Sequence, residues 1–400
     1  MLYLVFYLVM TFLEILLFFG LFILFYSYLG YGILLQILVF LKKIFAPVKS
    51  GTEEFLPPVT LIVAAYNEQD FILKKIENSL ALDYPQGRLK LIFVTDGSSD
   101  ETANIVSRFP AILLLHSADR KGKVAAMHRA IGHADTDYLI FSDANTLLNK
   151  ESIRNIVRHY HSPKVGGVAG EKKILATSAD VLTSTGEGLY WKYESWLKKL
   201  DSDFYTVVGA AGELFSVRKD LYEHPGDNIL LDDFIISLRI CEKGYRLVYE
   251  PDAYALETPS SNIQEEKKRK ARISAGAFQS MLLLKSLFNI FRFPLLSFQY
   301  ISHRVLRWTL CPIFLPLVFM INIILVFQSN QAFYQWLLAG QIFFYLLALS
   351  GWVLYRRQIR ISFLYVPYYF VFINLSLYTG FRRFLKGNQS VLWEKAKREN

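Results

Sequence analysis

The sequence predicts an α/β catalytic domain, with a mostly parallel, doubly wound sheet, joined to α-helical transmembrane segments. Residues 51–275 alternate short apolar runs with amphipathic segments, at a spacing typical of strands connected by helices. Long hydrophobic segments lie on both sides of this block. Of the 400 residues, 53% are hydrophobic, which is high for a soluble enzyme and indicates membrane spans. The chain therefore divides into a polar catalytic block and membrane-embedded flanks.

Residues 1–41 are expected to be an N-terminal transmembrane anchor. Glu14 is the one charged residue in this segment, which lacks the short apolar core and small-residue cleavage site of a secretory signal. A helix of this length would extend about 60 Å, enough for two spans or for one long tilted helix with an interfacial extension. Gly30 and Gly32 give no strong turn signal, so one helix is favoured.

The catalytic domain is expected to span residues 52–275. Short apolar runs predict its strands, and segments with apolar residues every three or four positions predict its helices. Strands are expected at 59–65, 89–95, 112–115, 138–142 and 165–170. Helices are expected at 71–82, 101–108, 123–132 and 150–161.

Polar residues follow three of these strands immediately. They are Tyr66-Asn67-Glu68, Asp96-Gly97 and Asp143-Ala144-Asn145. Ligands of doubly wound sheets bind beyond the carboxyl ends of the strands, so these groups are expected to converge on one rim. Ala65, Tyr66 and Glu68 are candidates for binding a donor substrate there.

A further helix is predicted from Ala179 to Leu200, and it carries several aromatic residues. They are Tyr190, Trp191, Tyr193 and Trp196. Packing on the domain or at the membrane interface is favoured over a sugar-stacking platform. Residues 276–304 interrupt apolar stretches with basic side chains, which is typical of interfacial amphipathic helices.

Residues 305–384 are expected to form a C-terminal transmembrane region, followed by a basic tail at 385–400. The region holds three apolar segments, at 309–327, 333–354 and 362–380. With a cytoplasmic catalytic domain, three spans would place the basic tail outside, against the positive-inside tendency. Pro367 and Asn374 make the last segment the best candidate for a re-entrant or interfacial element, and the number of spans stays open.

The net charge of +9 comes largely from basic residues at the edges of the hydrophobic segments. This pattern indicates contact with anionic membrane lipids and a catalytic domain on the cytoplasmic side of an inner or plasma membrane. The chain has no basic helix or basic motif interleaved with aromatic residues, so a nucleic-acid partner is not expected. Cys241 and Cys311 are far apart, which argues against a disulfide or a zinc site.

Sugar transfer from a nucleotide donor needs a clamp for the nucleoside, a cation for the departing diphosphate and a base for the acceptor hydroxyl. Asp96 is placed to accept a hydrogen bond from a base or ribose, although Asp96 to Asp100 also fits a simple turn and N-cap. Asp143 and Asn145 offer oxygen ligands suited to Mg or Mn, or they could cap a following helix. Lys123, beside Gly122, is a weak candidate for a phosphate contact.

Asp232 and Asp233 are a pair of adjacent carboxylates after an apolar run. Like charges this close raise one pKa, which suits Asp233 to accept a proton as the catalytic base. The alternative is an exposed helix start stabilised by its dipole. Arg269 and Arg272 belong to a basic run at the membrane junction, which could close over the leaving diphosphate or could face lipid.

The order of these motifs resembles the membrane-bound family 2 glycosyltransferases, which include the cellulose, hyaluronan and poly-N-acetylglucosamine synthases. The resemblance covers about residues 57–275. It rests on Val59 to Glu68, Asp96 to Asp100, Gly122-Lys123, Asp143 to Asn145, Gly209 to Gly212 and Asp232-Asp233.

The resemblance implies a Rossmann-like GT-A fold, a UDP-sugar donor with UDP-GlcNAc as one candidate, inversion at the anomeric carbon, and a Mg or Mn ion. By position, Asp96 would contact the uracil, Asp143 the diphosphate and metal, and Asp233 would be the base. Asp232 and a wall of small residues would face the acceptor. That wall is Gly209, Ala210, Ala211 and Gly212.

The sequence departs from the family in two ways. The processive synthases carry a Gln-x-x-Arg-Trp motif at the membrane junction, whereas this chain has Arg269-Lys270-Ala271-Arg272-Ile273, without the tryptophan that would cap the acceptor sugar. The Arg307-Trp308 pair is expected to lie too late in the chain for that role. Asn145 replaces a second Asp, which predicts weaker metal affinity.

These features favour an inverting glycosyltransferase that builds or extends a cell-surface polysaccharide or exopolysaccharide, with a saccharide or lipid-linked acceptor. A transferase that adds a single sugar to a lipid carrier is the main alternative. A non-catalytic membrane export subunit is disfavoured because Asp143 and Asp233 are both present.

Overall fold

The computed structural model describes residues 2–45, 54–174, 184–258, 263–357, 359 and 361–387. The strands are β1 Val59–Ala65, β2 Leu89–Asp96, β3 Ile112–Ser117, β4 Tyr138–Asp143, β5 Thr146–Leu148, β6 Val165–Ile174, β7 Leu214–Arg218 and β8 Arg246–Glu257. The helices are α1 Leu2–Phe25, α2 Tyr31–Phe45, α3 Ile72–Leu80, α4 Thr102–Val106, α5 Lys123–His133, α6 Ser152–Val157, α7 Ser184–Phe204, α8 Asp232–Glu242, α9 Ile263–Leu283, α10 Pro294–Tyr300, α11 Leu306–Trp308, α12 Leu310–Gln328, α13 Ala332–Arg356 and α14 Ser362–Leu385.

The strands form one sheet in the order β3-β2-β1-β4-β7-β6-β8-β5. The pairs β1/β2, β1/β4, β2/β3 and β6/β8 are parallel, whereas β7 and β5 pair with antiparallel neighbours. All seven residues of β1 are buried, because helices cover both faces of the sheet. The predicted mostly parallel α/β sheet is therefore confirmed.

The expected strands ended at residue 170, yet β7 and β8 complete the sheet. Pro251 lies inside β8, and proline is unfavourable within a strand because it cannot donate a backbone hydrogen bond. The structure accommodates it with a register shift, since Gly170 pairs with Glu250 and Glu171 with Tyr254. Residues 251–253 therefore bulge out of the pairing with β6.

The N-terminal segment is one helical rod, because a π-helical turn at Tyr26–Gly30 connects α1 to α2 without a break. In the described residues, three helices are long and apolar enough to cross a membrane: residues 3–45, 310–328 and 332–356. The last helix, α14, does not reach that hydropathy, since it contains four tyrosines, Asn374 and two arginines. It packs against α13, α9 and α7 instead.

A buried ionic cluster fixes the N-terminal helix to the catalytic domain. Asp201 of α7 accepts hydrogen bonds from Tyr31 of α2 and from Gln299 of α10, and its Oδ2 lies 2.5 Å from Nδ1 of His303. Glu194 of α7 accepts a hydrogen bond of 2.5 Å from Arg307. Burial acts to raise the pKa of Glu194, but Arg307 and its neighbours hold it well below the ordinary value. The N-terminal helix is therefore fixed to α7, which in turn packs against β8 of the sheet.

The structure bears on some of the expected domain boundaries, and others lie outside the described residues. The helix α9 runs through residue 275, where the catalytic domain was expected to end. The start of the aromatic helix expected from Ala179 and the tail beyond residue 387 lie outside the described residues. Cys241 and Cys311 are both free and buried.

Candidate active site

A cavity of about 1600 Å³ lies between the edge of the sheet and helices α7, α8, α9 and α14. Most of the residues proposed from sequence line this cavity. They are Glu68, Lys123, Asp143, Asn145, Gly209, Ala210, Ala211, Gly212, Asp232, Asp233, Arg269 and Arg272. Motifs that are far apart in the chain thus meet in one space at the carboxyl ends of the strands.

Asp143 is the last residue of β4, and β5 begins three residues later. Asp143 and Asn145 therefore lie in a tight turn between two strands, and the alternative that they cap a helix is wrong. The ammonium of Lys123, the first residue of α5, donates a hydrogen bond of 2.6 Å to Oδ1 of Asp143. Burial raises the pKa of Asp143, whereas Lys123 acts in the opposite direction.

Lys75 stabilises this turn. The sequence alone did not indicate this role. Its side chain is fully buried, and Nζ donates hydrogen bonds to Oγ of Ser142 at 2.7 Å and to the carbonyl of Thr146 at 2.9 Å. Burial lowers its pKa to about 7. The sequence signal that could have indicated this role is the position of Lys75 on the apolar face of α3, one residue before Ile76.

The oxygen donors at the end of β4 fit a hard divalent cation. Such ions are often held by one or two carboxylates together with substrate phosphates. Asp143 and Asn145 supply one carboxylate and one amide to the cavity, whereas the described residues contain no cluster of three or more His, Cys, Asp or Glu ligands. This donor set fits a Mg or Mn ion shared with a diphosphate, not a site closed by protein ligands alone.

Asp96 lies at the end of β2 but does not line the cavity. Its carboxylate is buried and accepts hydrogen bonds from the backbone N–H groups of Lys121, at 3.0 and 3.1 Å, and of Gly122, at 2.6 Å. Asp96 therefore holds the loop that leads into Lys123. Asp100 stabilises the turn before α4, because its Oδ1 accepts the backbone N–H of Thr102 at 3.0 Å, although the N-cap position of that helix is Glu101.

The three residues proposed at the end of β1, Ala65, Tyr66 and Glu68, have different environments in the structure. Ala65 is fully buried, and the ring of Tyr66 lies 3.7 Å from the guanidinium carbon of Arg120, outside the cavity lining. Glu68 alone of the three lines the cavity, although it is largely buried. Its backbone N–H donates to Oγ1 of Thr102 at 2.8 Å, which ties this rim to the start of α4.

Asp232 and Asp233 form the first turn of α8 and both line the cavity. Asp232 is buried, and its Oδ2 has no hydrogen-bond partner in the part of the chain that the structure describes. Oδ1 of Asp233 accepts the backbone N–H of Phe234 at 2.8 Å. Burial and the adjacent Asp232 raise the pKa of Asp233 to about 7, against the opposing charge of Lys123. The pair does begin a helix, as the alternative expected, but Asp232 is buried and Asp233 is partly buried, so the helix start is not exposed.

This electrostatic environment predicts a pH dependence. Asp233 can accept a proton only when it is ionised, so kcat/KM should fall by about tenfold for each pH unit below about 7. Nucleoside diphosphate release, measured from about pH 5 to about pH 8.5, gives the profile. A kcat/KM that stays constant below about pH 7 would contradict the assignment of Asp233 as the base.

Small residues form a wall of the cavity near Lys123 and Asp233. A Cβ atom placed on Gly212 would lie 3.1 Å from Nζ of Lys123 and 3.2 Å from Oδ2 of Asp233. Gly209 has a φ of +86°, and a Cβ there would lie 2.1 Å from the ring of Phe234. Gly212 therefore keeps the space between Lys123 and Asp233 open, and Gly209 allows the ring of Phe234 to pack against the backbone.

Gly212→Ala is therefore expected to lower kcat by about tenfold without a large loss of stability, because the new methyl group enters the reacting space. Turnover and the melting temperature measure the two effects separately. Gly132→Ala is the matched control, since a Cβ at Gly132 meets no atom within 4 Å. Equal turnover of the two variants would contradict the proposed position of the reacting groups.

A buried charge network at the base of α9 was also missed. Lys172 of β6 pairs with Glu213 at 2.7 Å and with Glu257, and Arg269 lies 3.4 Å from Glu213. Glu213, Glu257 and Arg269 all line the cavity. No local pattern could have revealed the network, because the partners come from β6, β8 and α9 and the segment just after Gly212.

The structure corrects the expectation for Trp308. Although it is distant in sequence, Trp308 lines the same cavity, and its ring centroid lies 5.4 Å from that of Phe234, the residue after Asp233. A tryptophan therefore lies close to the candidate base. Tyr190 and Trp191 of α7 also line the cavity.

Comparisons with known proteins agree with this geometry. A model of the family described as "Glycosyltransferase like family 2" matches residues 57–276. The chain is 26% identical over 250 residues to a poly-beta-1,6-N-acetyl-D-glucosamine synthase of Staphylococcus aureus strain MSSA476, covering 60% of each chain. It is 24% identical over 259 residues to a probable glycosyltransferase of Bacillus subtilis strain 168, covering 59% of each. The chain thus spans about three fifths of these relatives.

Among solved structures, a mannosyltransferase from Pyrobaculum calidifontis in complex with GDP-Man and Mn2+ superposes with a TM-score of 0.69. The match covers 94% of this chain and 99% of that chain, at 20% sequence identity. It confirms the GT-A fold expected from the motif order.

Proposed function

This chain belongs to glycosyltransferase family 2, and on that premise we propose that it transfers a sugar from a UDP-sugar donor, with UDP-GlcNAc as one candidate, to a saccharide or lipid-linked acceptor with inversion. The observation that carries the proposal is the position of Gly212, where an added Cβ would lie 3.1 Å from Nζ of Lys123 and 3.2 Å from Oδ2 of Asp233. A donor-side cation and a candidate base thus flank one small space.

On the donor side, Asp143 and Asn145 would hold a Mg or Mn ion together with the diphosphate. When bound, the ion neutralises the charge that develops on the leaving group. Lys123, Arg269 and Arg272 all line the cavity, and they are proposed to contact the diphosphate oxygens.

The nucleoside is proposed to bind at the rim formed by Ala65, Tyr66, Glu68 and Asp96. Asp96 already accepts backbone hydrogen bonds, so it contributes by fixing the loop before Lys123 and with the lone pairs that remain.

On the acceptor side, Asp233 removes the proton of the attacking hydroxyl. The hydroxyl oxygen then bonds to the anomeric carbon as the bond from that carbon to the diphosphate breaks, which releases UDP and inverts the configuration. Gly209 to Gly212 line the acceptor space, and Asp232 keeps the pKa of Asp233 high.

The product is proposed to be a cell-surface polysaccharide or exopolysaccharide, made with the catalytic domain in the cytoplasm. The relatives named poly-beta-1,6-N-acetyl-D-glucosamine synthases support this choice. Transfer of a single sugar to a lipid carrier is the second candidate, and the apolar wall of the cavity favours it. That wall includes Leu29, Phe370 and Ile373.

UDP release by the purified protein, with a panel of UDP-sugars and either Mg or Mn, tests the proposal. One donor is expected to give metal-dependent release. A long product on a gel would identify a polysaccharide synthase, and a single added sugar would identify the lipid-carrier reaction. No release with any donor would refute the proposed donor class.

A further inference from the structure

Lys123 has two partners to serve in the cavity. Its ammonium donates a hydrogen bond of 2.6 Å to Oδ1 of Asp143, the carboxylate proposed to hold the divalent cation, and the two side chains are only 19% and 20% exposed. Lys123 is also proposed to contact the donor diphosphate. The charge of this one side chain therefore bears on both the cation and the donor.

The backbone of Lys123 is fixed, so an exchange of partners needs only its side chain to move. Lys123 is the first residue of α5, and the carboxylate of Asp96 binds the backbone N–H groups of Lys121 and Gly122 just before it. Gly122 has a φ of +97°, a conformation that favours glycine. The lysine side chain, in contrast, is a flexible four-carbon stem whose ammonium can turn towards a new acceptor.

The space beside the ammonium is open on the side of Gly212. A Cβ at Gly212 would lie 3.1 Å from Nζ of Lys123, so the side chain of residue 212 does not cover the ammonium. Lys123, Asp143 and Gly212 all line the same cavity. An anionic group that enters this space therefore meets Nζ of Lys123 directly.

Lys123 is held in its charged form. Burial acts to lower the pKa of Lys123, but the carboxylates of Asp143, Asp232 and Asp233 together raise it above the ordinary value for lysine. Lys123 therefore carries its positive charge throughout the neutral pH range, where the enzyme is expected to work.

The charges at this turn explain why Lys123 and a divalent cation oppose each other. Asp143 supplies the one negative charge of the turn, since the amide of Asn145 is neutral, and Lys123 already balances it. Two positive charges on one partly buried carboxylate repel each other. A diphosphate brings further negative charge, and its oxygens offer the ammonium a second charge-assisted hydrogen bond.

We propose that Lys123 and the divalent cation compete for Asp143, and that the donor diphosphate relieves this competition by taking over the ammonium of Lys123. The inference rests on the donor and cation sites of the proposed function. It gives the Lys123–Asp143 pair a role of its own: it keeps the cation affinity low until a donor binds. Because coupling between two ligands is reciprocal, the diphosphate raises the cation affinity by the same factor as the cation raises the diphosphate affinity.

Mn binding to the full chain in a non-ionic detergent, without nucleotide, tests this proposal. The electron paramagnetic resonance signal of free Mn²⁺ gives the affinity. Lys123→Gln is expected to bind Mn about tenfold more tightly than the wild type, because the competing charge is gone. A lysine that only contacts the diphosphate would leave the affinity for Mn alone unchanged. Equal or weaker Mn binding by Lys123→Gln would overturn the proposal.

Three further variants locate the effect. Lys123→Arg keeps the charge and should bind Mn as the wild type does. The double variant Lys123→Gln with Asp143→Asn should lose the gain, because it lacks the contested carboxylate. Lys90→Gln is the matched control, since Lys90 pairs with Asp135 at an exposed place away from the cavity lining. An equal gain in Lys90→Gln, or a gain kept by the double variant, would overturn the proposal.

Melting temperatures give a second readout, which separates the effect from misfolding. Lys123→Gln takes the ammonium partner from the largely buried carboxylate of Asp143, so its melting temperature at about pH 8 should fall below that of the wild type. Mn alone should then raise it by more than it raises that of the wild type. Lys123→Met, which also removes the charge, should behave in the same way. A Mn-induced rise in both variants no larger than in the wild type would overturn the proposal.

A parallel measurement of UDP binding and UDP release, with Mn present, separates this inference from the proposed function. Mn-dependent UDP binding and release by the wild type, without tighter Mn binding by Lys123→Gln, would overturn the competition and leave the glycosyltransferase proposal intact. Absence of UDP binding and release in the wild type would overturn the proposed function and, with it, the inference.

Discussion

Asp233→Asn is expected to lower turnover by about 10²- to 10⁴-fold, the range that a positioned general base contributes. The amide has nearly the same shape as the carboxylate but cannot accept the hydroxyl proton. UDP affinity should stay close to that of the wild type, because the diphosphate contacts proposed here come from Lys123, Arg269 and Arg272. Single-turnover sugar transfer, with UDP binding measured in parallel, gives both quantities.

A stability measurement separates this catalytic effect from misfolding. The pKa of Asp233 is raised in the fold, so the native state binds the proton more tightly than the unfolded chain, and ionisation destabilises it as pH rises towards about 7. Asp233→Asn removes that cost, so its melting temperature near pH 8 should equal or exceed that of the wild type. Asp227→Asn, at a largely exposed side chain, is the control. Wild-type turnover in Asp233→Asn would refute the base assignment.

Asp143→Ala is expected to remove the metal-dependent part of donor affinity. Asp143 supplies the carboxylate of the proposed cation site, and Asn145 alone offers an uncharged ligand. UDP binding should therefore become similar with and without Mn, whereas the wild type should bind UDP more tightly when Mn is present. Calorimetric titration of UDP into the two proteins, at matched Mn concentrations, measures the difference.

The control for this variant is Asp252→Ala. The Asp252 side chain is 75% exposed and lies in the bulge of β8, away from the cavity lining. It should bind UDP with the same Mn dependence as the wild type. If Asp143→Ala kept that dependence, another residue would have to hold the metal. Removal of the Lys123 partner could also disturb α5, so the melting temperature is measured alongside.

Much of the sheet and of the catalytic motif order was predictable from sequence. The runs at Val59–Ala65, Leu89–Asp96 and Tyr138–Asp143 are apolar because both faces of a parallel sheet are buried, and local spacing reveals this. The polar residues directly after such strands have to lie at one edge of the sheet. Asp143 was predictable in this way, whereas Lys123 was indicated by its place beside Gly122 at a predicted helix start, and Asp233 by its adjacent carboxylate.

Other parts were not predictable for identifiable reasons. β8 contains Pro251, and a strand with a proline is recognised only when its bulge is seen. Asp96 resembled a nucleoside ligand, but the backbone of Lys121 and Gly122 uses much of its hydrogen-bonding capacity. Trp308 lines the cavity although it is about 75 residues from Asp233 in the chain, and a distance in sequence does not indicate a distance in space.

The sequence by itself determined the fold class, the rim of the sheet and the acidic residues of the site, because strand periodicity and strand-end chemistry are local properties of the chain. Only the tertiary structure decided which side chains share the cavity. Lys75 reaches the turn that holds Asp143, and Trp308 packs against Phe234 beside Asp233, through packing between elements distant in sequence. Such contacts depend on how the helices pack against the sheet, and the spacing of residues within one segment does not indicate that packing.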